Sequence, residues 1–350
     1  MTYAGENKAE TGGAKASPDY PFLGFQNGEG ADATILPLVL NMECTATQTE
    51  MNDNVAATLE RGYVPLQEVF DSAPGGKLSL CGAGPSLNST LDKLTGDVFA
   101  VNSAIGVLLK KGIVPRWAMI WDCAELCVQF AIPHPDVTYL VASRCHPTVF
   151  ERLKDCKVVV WHADGDMNIM DLLESQGVKD PLVKGGTTGI TRGLYVAYTL
   201  GYRDFHVFGA DSCYVDGESH VAGSLVHEHH LKVMVNGRWF DSTAQWAAQI
   251  EELKIIYPMF KHTYLAADMT AYDDGMFSWV LGIMKQDEAK ALRNAMALIE
   301  LGQKQKGIAA PGVPGALPDG AIEQLAEQYP EQMAPVMKTL QPLEAGVQNV

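Results

Sequence analysis

The sequence predicts an α/β fold in which a mostly parallel sheet lies between two layers of helices. Between residues 77 and 210, short and almost wholly apolar segments of strand length alternate with segments of helical length. Strands that are apolar along their whole length are typical of a parallel sheet covered on both faces. Polar residues directly follow several of these strands, at the edge where such sheets bind ligands.

Six apolar segments are predicted to be the strands of this sheet: Leu78–Cys81, Val98–Val101, Trp117–Trp121, Val137–Val141, Val158–Trp161 and Phe205–Phe208. Helices are predicted between most of them, at Ser86–Leu94, Ser103–Lys111, Pro147–Leu153 and Ile190–Leu200. Crossovers between parallel strands are almost always right-handed. The expected architecture is therefore a Rossmann-like three-layer αβα domain, followed by a β-hairpin and a helical C-terminal extension.

The domain organisation follows from shifts in composition along the chain. We expect a mobile tail over residues 1–30, a lead-in segment over 31–76, the Rossmann-like domain over 77–265, a helical extension over 266–305, and a Pro/Gly linker with a C-terminal helix over 306–350. The lead-in segment contains an apolar run at Ile35–Leu40 and a predicted helix at Asn52–Phe70. The C-terminal tail either docks on a second copy in a homo-oligomer or remains mobile.

Two local patterns define the region after the sheet. Asn236-Gly237, between segments that alternate apolar and polar residues, predicts a type I′ hairpin. A helix is predicted over Thr243–Ile256 with Asp241 or Ser242 as its cap, and another over Glu288–Gln303.

The composition excludes several classes of function. The formal net charge is −16, which disfavours nucleic-acid binding because phosphate contacts need a basic surface. No apolar run approaches the roughly 20 residues of a membrane span, and the N-terminus lacks the apolar core of a secretory signal. The seven cysteines are scattered singly, as expected for reduced thiols. We therefore expect a cytoplasmic protein that has no contact with membranes.

A glycine-rich turn follows the first predicted strand. Gly82 and Gly84 let the backbone turn tightly and approach a ligand, and Pro85 suits the first helical position. Ser86 adds a hydroxyl, and the amides of the helix start would point at an anion. Because the third glycine of a dinucleotide fingerprint is missing, the expected ligand is a mononucleotide phosphate. The alternative is an ordinary strand-to-helix turn.

Polar residues also follow the next two strands. Asn102 ends the second strand and Asp122 the third. The carboxyl ends of parallel strands meet at one edge of the sheet, where a carboxylate can serve a ribose hydroxyl, a metal or a proton transfer. Each residue alone is also a normal helix cap. Three polar strand ends in succession favour a site.

A second glycine-rich loop, Gly185-Gly186-Thr187-Thr188, precedes a helix that leads into the strand before Asp211. This helix start can hold a phosphate or a sugar. His220 follows on a loop and is a candidate general acid or base, because histidine titrates near neutral pH. The alternatives are a flexible turn and a surface histidine.

Acidic residues suggest a metal site. Asp164 and Asp166 follow His162 in the stretch WHADGDMN, which ends at Asn168, and carboxylate oxygens suit Mg²⁺. With Asp122 they form the candidate metal ligands, although an ordinary turn is the favoured interpretation of this stretch. His227 and His229 are a further metal candidate, with an exposed hairpin edge as the alternative.

The chain resembles the MptE-like 6-hydroxymethylpterin diphosphokinase domain family in three stretches taken in order: CGAGPSL, AVNSAIGVLLKKGIVPRWAMIWD and GGTTGITRGLYVAYTLGYRDFHVFGADSCYVDGESHVAGS. This family also contains the catalytic domain of Maf flagellin glycosyltransferases and is distantly similar to bacterial sialyltransferases. The resemblance covers about residues 77 to 265. The chain departs from the sialyltransferases at Ala83, where they usually have asparagine, and its WDCAE is less acidic than the matching motif of the pterin kinases.

The resemblance implies a nucleotide-linked donor. The turn from Gly82 to Ser86 would hold its phosphate, Asn102 would lie against the nucleotide, and Asp122 would lie near the metal or the donor. The loop from Gly185 to Thr188 and Asp211 would complete the pocket.

Our first hypothesis is a nucleotide-dependent transferase of the glycosyltransferase type, which uses a nucleotide sugar and modifies a small molecule, glycan or protein. Asp211 or His220 would deprotonate the acceptor hydroxyl. The alternative is a diphosphokinase that uses ATP and Mg²⁺, with the metal held by Asp122 and by Asp164 or Asp166. A third hypothesis is a non-catalytic nucleotide-binding protein.

Overall fold

The computed structural model describes residues 24–26, 46–164, 169–221, 231–263 and 268–305. The strands are β1 (Gly24–Gln26), β2 (Val64–Pro65), β3 (Lys77–Cys81), β4 (Asp97–Val101), β5 (Trp117–Ile120), β6 (Thr138–Ala142), β7 (Lys157–Ala163), β8 (Leu182–Val183), β9 (Asp204–Phe208), β10 (Leu231–Val235), β11 (Arg238–Ser242) and β12 (Asp268–Ala271). The α-helices are α1 (Gln48–Glu60), α2 (Leu87–Thr90), α3 (Ala104–Lys110), α4 (Pro147–Arg152), α5 (Ile169–Ser175), α6 (Gly189–Thr199), α7 (Ala244–Pro258) and α8 (Met276–Gln305).

The main sheet is parallel throughout and confirms the predicted fold class. Its strands lie in the order β12-β9-β3-β4-β5-β6-β7, and both β2 and β8 pair with the outer side of β7. The central strands are buried on both faces because they carry apolar side chains in both directions; Leu78, Leu80, Val141 and Val207 are all fully buried.

The strand order places a topological switch point between β3 and β9. From β3 the chain moves outward through β4, β5, β6 and β7, whereas from β9 it moves to β12 on the opposite side. The two strand ends are joined by hydrogen bonds from the Gly82 amide to the Phe208 carbonyl (2.8 Å) and from the Gly84 amide to the Gly209 carbonyl (2.9 Å). Sheets of this kind bind ligands in the crevice that opens where the connections diverge.

A small antiparallel sheet, in the order β1-β10-β11, lies beside the end of β9. The predicted type I′ turn joins β10 to β11, with φ angles of 48° at Asn236 and 80° at Gly237. The Tyr214 amide donates to the Asp241 carbonyl (2.8 Å), which ties this sheet to the segment after β9. Strand β1 lies within residues 1–30, the segment expected to be a mobile tail, and pairs with β10.

Helix lengths differ from the prediction in three places. The helix predicted at Asn52–Phe70 is α1, which stops at Glu60 because Gly62 adopts a left-handed φ of 71°. The helix predicted at Ser86–Leu94 is reduced to the four residues of α2, followed by a 3₁₀ turn at Leu91–Lys93. Helix α8 begins at Met276, twelve residues before the predicted Glu288.

The sheet also extends beyond residues 77–265, since β2 and β12 lie outside that range. The predicted Ile35–Leu40 run and residues 306–350 lie outside the described part of the chain.

In the part that is described, no helix has the length and apolar character needed to cross a membrane. The six cysteines of that part are free thiols.

Candidate functional site

The glycine turn after β3 meets Asp211 at the switch point. One carboxylate oxygen of Asp211 accepts hydrogen bonds from the Ser86 amide (3.2 Å) and the Ser86 hydroxyl (2.9 Å). A Cβ atom at Gly84 would overlap the Asp211 carboxylate and the Gly209 carbonyl, so only glycine fits there. The structure therefore brings together two predicted parts of the site. It also shows that the donors of Ser86 bind an anionic group.

Asp211 has an unusual electrostatic environment. Its pKa is raised to about 6: burial is the main cause and the charge of the neighbouring Asp273 adds to it, although the hydrogen bonds from Ser86 act in the opposite direction. Asp273 follows β12 and is also buried, which raises its pKa. Within the described residues, neither Oδ1 of Asp211 nor Oδ2 of Asp273 has a hydrogen-bond partner. Two carboxyl groups with free, buried oxygens thus lie at this edge of the sheet.

Asn102 and Asp122 form a second part of the same edge. The Asn102 amide nitrogen donates to the Asp122 carboxylate (3.0 Å). Asn102 has a left-handed φ of 48°, a conformation that costs energy for most residues and is common at functional sites. Its buried side-chain carbonyl oxygen has no hydrogen-bond partner in the part of the chain that the structure describes. The side chains of Asn102 and Asp122 are therefore in contact, and the Asn102 carbonyl oxygen is an acceptor without a partner among the described residues.

The loop before α6 is already bound by a side chain of the protein. Thr188 caps the helix. Glu252, on α7, accepts from the Thr187 amide (2.7 Å) and from the Thr191 hydroxyl (2.9 Å). The helix start thus binds an anion, as the sequence suggests for Gly185, Gly186, Thr187 and Thr188, but here the anion is internal. Glu252 was not recognised from the sequence, because nothing local distinguishes it from other glutamates on α7.

The start of α6 also lies close to Asn102. A Cβ atom at Gly189 would be 3.6 Å from the Trp121 indole nitrogen and 3.7 Å from the Asn102 side-chain nitrogen. The loop and the ends of β4 and β5 are therefore neighbours, as a shared pocket requires.

His220 lies beside the glycine turn. The amide of the next residue, Val221, donates to the Ala83 carbonyl (2.9 Å). One ring nitrogen of His220 is 3.1 Å from the Ser219 hydroxyl, and the ring centroid is 6.2 Å from that of Trp246. The ring is only half-buried. The segment that carries His220 thus lies against the glycine turn, and the role of the ring as a general acid or base stays a prediction.

His162 belongs to the interior rather than to a ligand site. It is 1% exposed, and its ring nitrogens lie 2.9 Å from the Ser143 hydroxyl and 3.3 Å from the Asp180 carboxylate. Burial lowers its pKa, and Asp180 partly offsets this. Tyr63 donates to the same carboxylate (2.7 Å), so this network fixes the lead-in segment to the sheet.

The metal site predicted at Asp122, Asp164 and Asp166 stays a prediction. Asp166 and Asn168 lie outside the described residues, as do His227 and His229. Among the residues that are described, no group of three or more His, Cys, Asp or Glu side chains could hold a metal ion.

Two buried arginines were missed by the sequence interpretation. The guanidinium carbons of Arg144 and Arg192 lie 5.3 and 5.4 Å from the Trp121 ring centroid, and the residues are only 8% and 6% exposed. Arg144 follows β6 by two residues and Arg192 lies in the first turn of α6. Arg144 lies shortly after the predicted strand Val137–Val141, and this position could have identified it as a candidate site residue. These arginines supply positive charge near the end of β5 in an acidic chain.

Residues 51–217 match the family described as 6-hydroxymethylpterin diphosphokinase MptE-like. Among solved structures, the chain is similar to a Maf glycosyltransferase from Magnetospirillum magneticum AMB-1, with 16% sequence identity and a TM-score of 0.49. That similarity covers 67% of this chain and 38% of the other chain. No curated protein matches this chain in sequence. The family description supports a transferase. The resemblance seen in the sequence is confirmed, because residues 51–217 match the MptE-like family model.

Proposed function

We propose that this protein is a nucleotide-dependent transferase whose donor phosphate lies in the crevice between β3 and β9. The proposal rests on one coincidence: the glycine turn lies at the topological switch point, and the Ser86 amide and hydroxyl there already bind a carboxylate oxygen. The buried Arg144 and Arg192 add support, since guanidinium groups at this edge favour an anionic ligand.

The reaction we propose first is glycosyl transfer from a nucleotide sugar. The acceptor hydroxyl oxygen attacks the anomeric carbon, the bond to the nucleotide phosphate breaks, and the nucleotide leaves with its electron pair. His220, beside the turn, takes the hydroxyl proton. The hairpin sheet offers an acceptor surface next to the crevice, because the Ser242 hydroxyl anchors it to the Ser212 carbonyl (2.8 Å) just after Asp211.

Diphosphoryl transfer from ATP is the second candidate, and the family match over residues 51–217 favours it. Here the acceptor oxygen attacks the β-phosphorus of ATP, the bond to the α-phosphate oxygen breaks, and AMP leaves. The same turn and the same base would serve, and bound Mg²⁺ would neutralise phosphate charge.

A thermal-shift screen of nucleotides and nucleotide sugars, with and without Mg²⁺, tests the proposal. A ligand present at 100 times its Kd should stabilise the fold by about 2.7 kcal/mol. Ser86→Ala should weaken the best ligand. Ser175→Ala, which removes an exposed hydroxyl bonded only within α5, serves as the matched control.

Product analysis then separates the candidates. Glycosyl transfer releases the nucleotide of the sugar donor, diphosphoryl transfer releases AMP from ATP, and binding without either product supports a non-catalytic role. If no nucleotide or nucleotide sugar shifts the melting temperature, the donor crevice is refuted.

A further inference from the structure

Two buried carboxyl groups, those of Asp211 and Asp273, lie in the switch-point crevice where the donor phosphate is proposed to bind. Asp211 bonds to the same Ser86 donors that the proposed donor phosphate would use. Asp273 lies close enough to raise the pKa of Asp211 through its charge. A phosphate brought to this turn would face both carboxylates in a poorly hydrated environment, where like charges repel strongly.

The two carboxyl groups are held rigidly, and each keeps one oxygen available. Asp273 uses Oδ1 to accept from the Gly275 amide (2.9 Å) and the Ser278 amide (3.3 Å), which caps α8. The Asp211 main-chain carbonyl accepts from the Met276 amide (2.7 Å), which fixes the start of α8 against the end of β9. Oδ1 of Asp211 and Oδ2 of Asp273 are buried and have no hydrogen-bond partner among the described residues.

Buried polar atoms in proteins nearly always have a partner, so two unpartnered carboxylate oxygens on neighbouring residues call for an explanation. Strands β9 and β12 are parallel neighbours, and Asp211 and Asp273 follow their carboxyl ends, at the same edge as the glycine turn. Mg²⁺ is typically held by one or two carboxylates together with substrate phosphates and water. The residues present therefore fit a divalent cation.

We propose that Asp211 and Asp273 bind a divalent cation of the Mg²⁺ type, through Oδ1 of Asp211 and Oδ2 of Asp273, and that this cation joins the protein to the donor phosphate. This proposal adds a metal site to the proposed donor crevice. The contact between the cation and the donor phosphate rests on the proposed function. The cation site differs from the metal site expected from the sequence at Asp122, Asp164 and Asp166. Of its two ligands, Asp211 lies within the family match over residues 51–217 and Asp273 lies beyond it.

Mn²⁺ binding to the full chain, without nucleotide, tests the cation site directly. Electron paramagnetic resonance of free Mn²⁺ should show one site per chain that Mg²⁺ competes for. Asp273→Asn should weaken Mn²⁺ binding by at least about tenfold. The asparagine keeps the side-chain oxygen that caps α8, so circular dichroism should remain that of the wild type.

Asp274→Asn is the matched control, because it makes the same charge change on the exposed neighbouring residue and should reduce Mn²⁺ affinity far less than Asp273→Asn does. Asp211→Asn provides an independent second variant with the same expected loss. Absence of Mn²⁺ binding in the wild type, or equal binding in Asp273→Asn, overturns the proposal. If Asp122→Asn abolishes Mn²⁺ binding and neither Asp211→Asn nor Asp273→Asn does, the proposal is also overturned. The cation site would then lie at the end of β5. The measurement uses no nucleotide, so its failure is distinct from failure of the donor crevice.

Discussion

The carboxylate of Asp211 and the backbone amide of Ser86 lie 3.2 Å apart, although 125 residues separate them in the sequence. They meet because β3 and β9 are neighbours in the sheet while their connections leave in opposite directions. This contact joins the glycine turn to the acidic end of β9 and defines the crevice on which the proposed chemistry depends.

Gly84→Ala should disrupt this contact. The added methyl group would overlap the Asp211 carboxylate and the Gly209 carbonyl, so we expect a loss of about 1–3 kcal/mol in the free energy of unfolding and a loss of donor binding. Urea denaturation measures the first effect and ligand-induced thermal shifts the second. Gly282→Ala is the control, because no atom lies within 4 Å of its Cβ position on α8; it should be neutral or stabilising by up to about 1 kcal/mol. Equal stability of the two variants would contradict the close approach at Gly84.

Glu252→Gln should destabilise the start of α6. The carboxylate accepts two hydrogen bonds, from the Thr187 amide and the Thr191 hydroxyl, and the amide of glutamine can accept at only one of these positions. A cost of about 1–3 kcal/mol is expected from the loss of a hydrogen bond to a charged acceptor, measured by urea denaturation.

The control for that variant is Glu251→Gln, on the same helix. Glu251 forms a surface ion pair with Lys254 (2.7 Å), and such pairs contribute only about 0.2–0.5 kcal/mol. If Glu252→Gln costs no more than Glu251→Gln, Glu252 does not hold the α6 loop.

Asn102→Ala and Asn102→Gly should separate strain from hydrogen bonding. Both variants lose the bond to Asp122, but only alanine has a Cβ atom that makes the left-handed φ of 48° costly. Chemical denaturation should therefore show Asn102→Ala to be the less stable variant, by about 1 kcal/mol. Asn236→Gly, at the same φ in the exposed hairpin turn, should change stability by only a few tenths of a kcal/mol. A glycine variant of Asn102 less stable than the alanine variant would argue against backbone strain at this position.

The stability of the fold should depend on His162 below neutral pH. Burial lowers its pKa in the folded state from the usual 6.5, against the weaker raising effect of Asp180. The unfolded chain therefore binds the proton first, and stability falls as the pH drops below about 6.5, by at most about 1.4 kcal/mol per pH unit.

The difference in unfolding free energy between the wild type and His162→Gln, measured from pH 7.5 to 5.0, isolates this effect from other titrating groups. That difference should shrink as the pH falls. His134→Gln, on the loop before β6, is the control for the histidine-to-glutamine change itself. A pH-independent difference for His162→Gln would show that the ring does not remain neutral in the fold.

The layers of the domain could be predicted from the sequence, because the spacing of apolar residues reports burial directly. The six predicted strands all occur in the parallel sheet, and the predicted hairpin turn lies at Asn236-Gly237. Polar residues after the strands also identified Asn102 and Asp122, whose side chains do meet. These features are local in sequence, so local patterns suffice to predict them.

The order of the strands, and the set of side chains that share the crevice, could be seen only in the three-dimensional structure. The pairing of β3 with β9 brings Asp211 to Ser86, and the addition of β12 brings Asp273 to Asp211. Glu252 reaches the α6 loop from a helix more than sixty residues away. Such contacts depend on the order of the strands in the sheet. A short window of sequence does not predict that order, because it is set by pairing between distant segments.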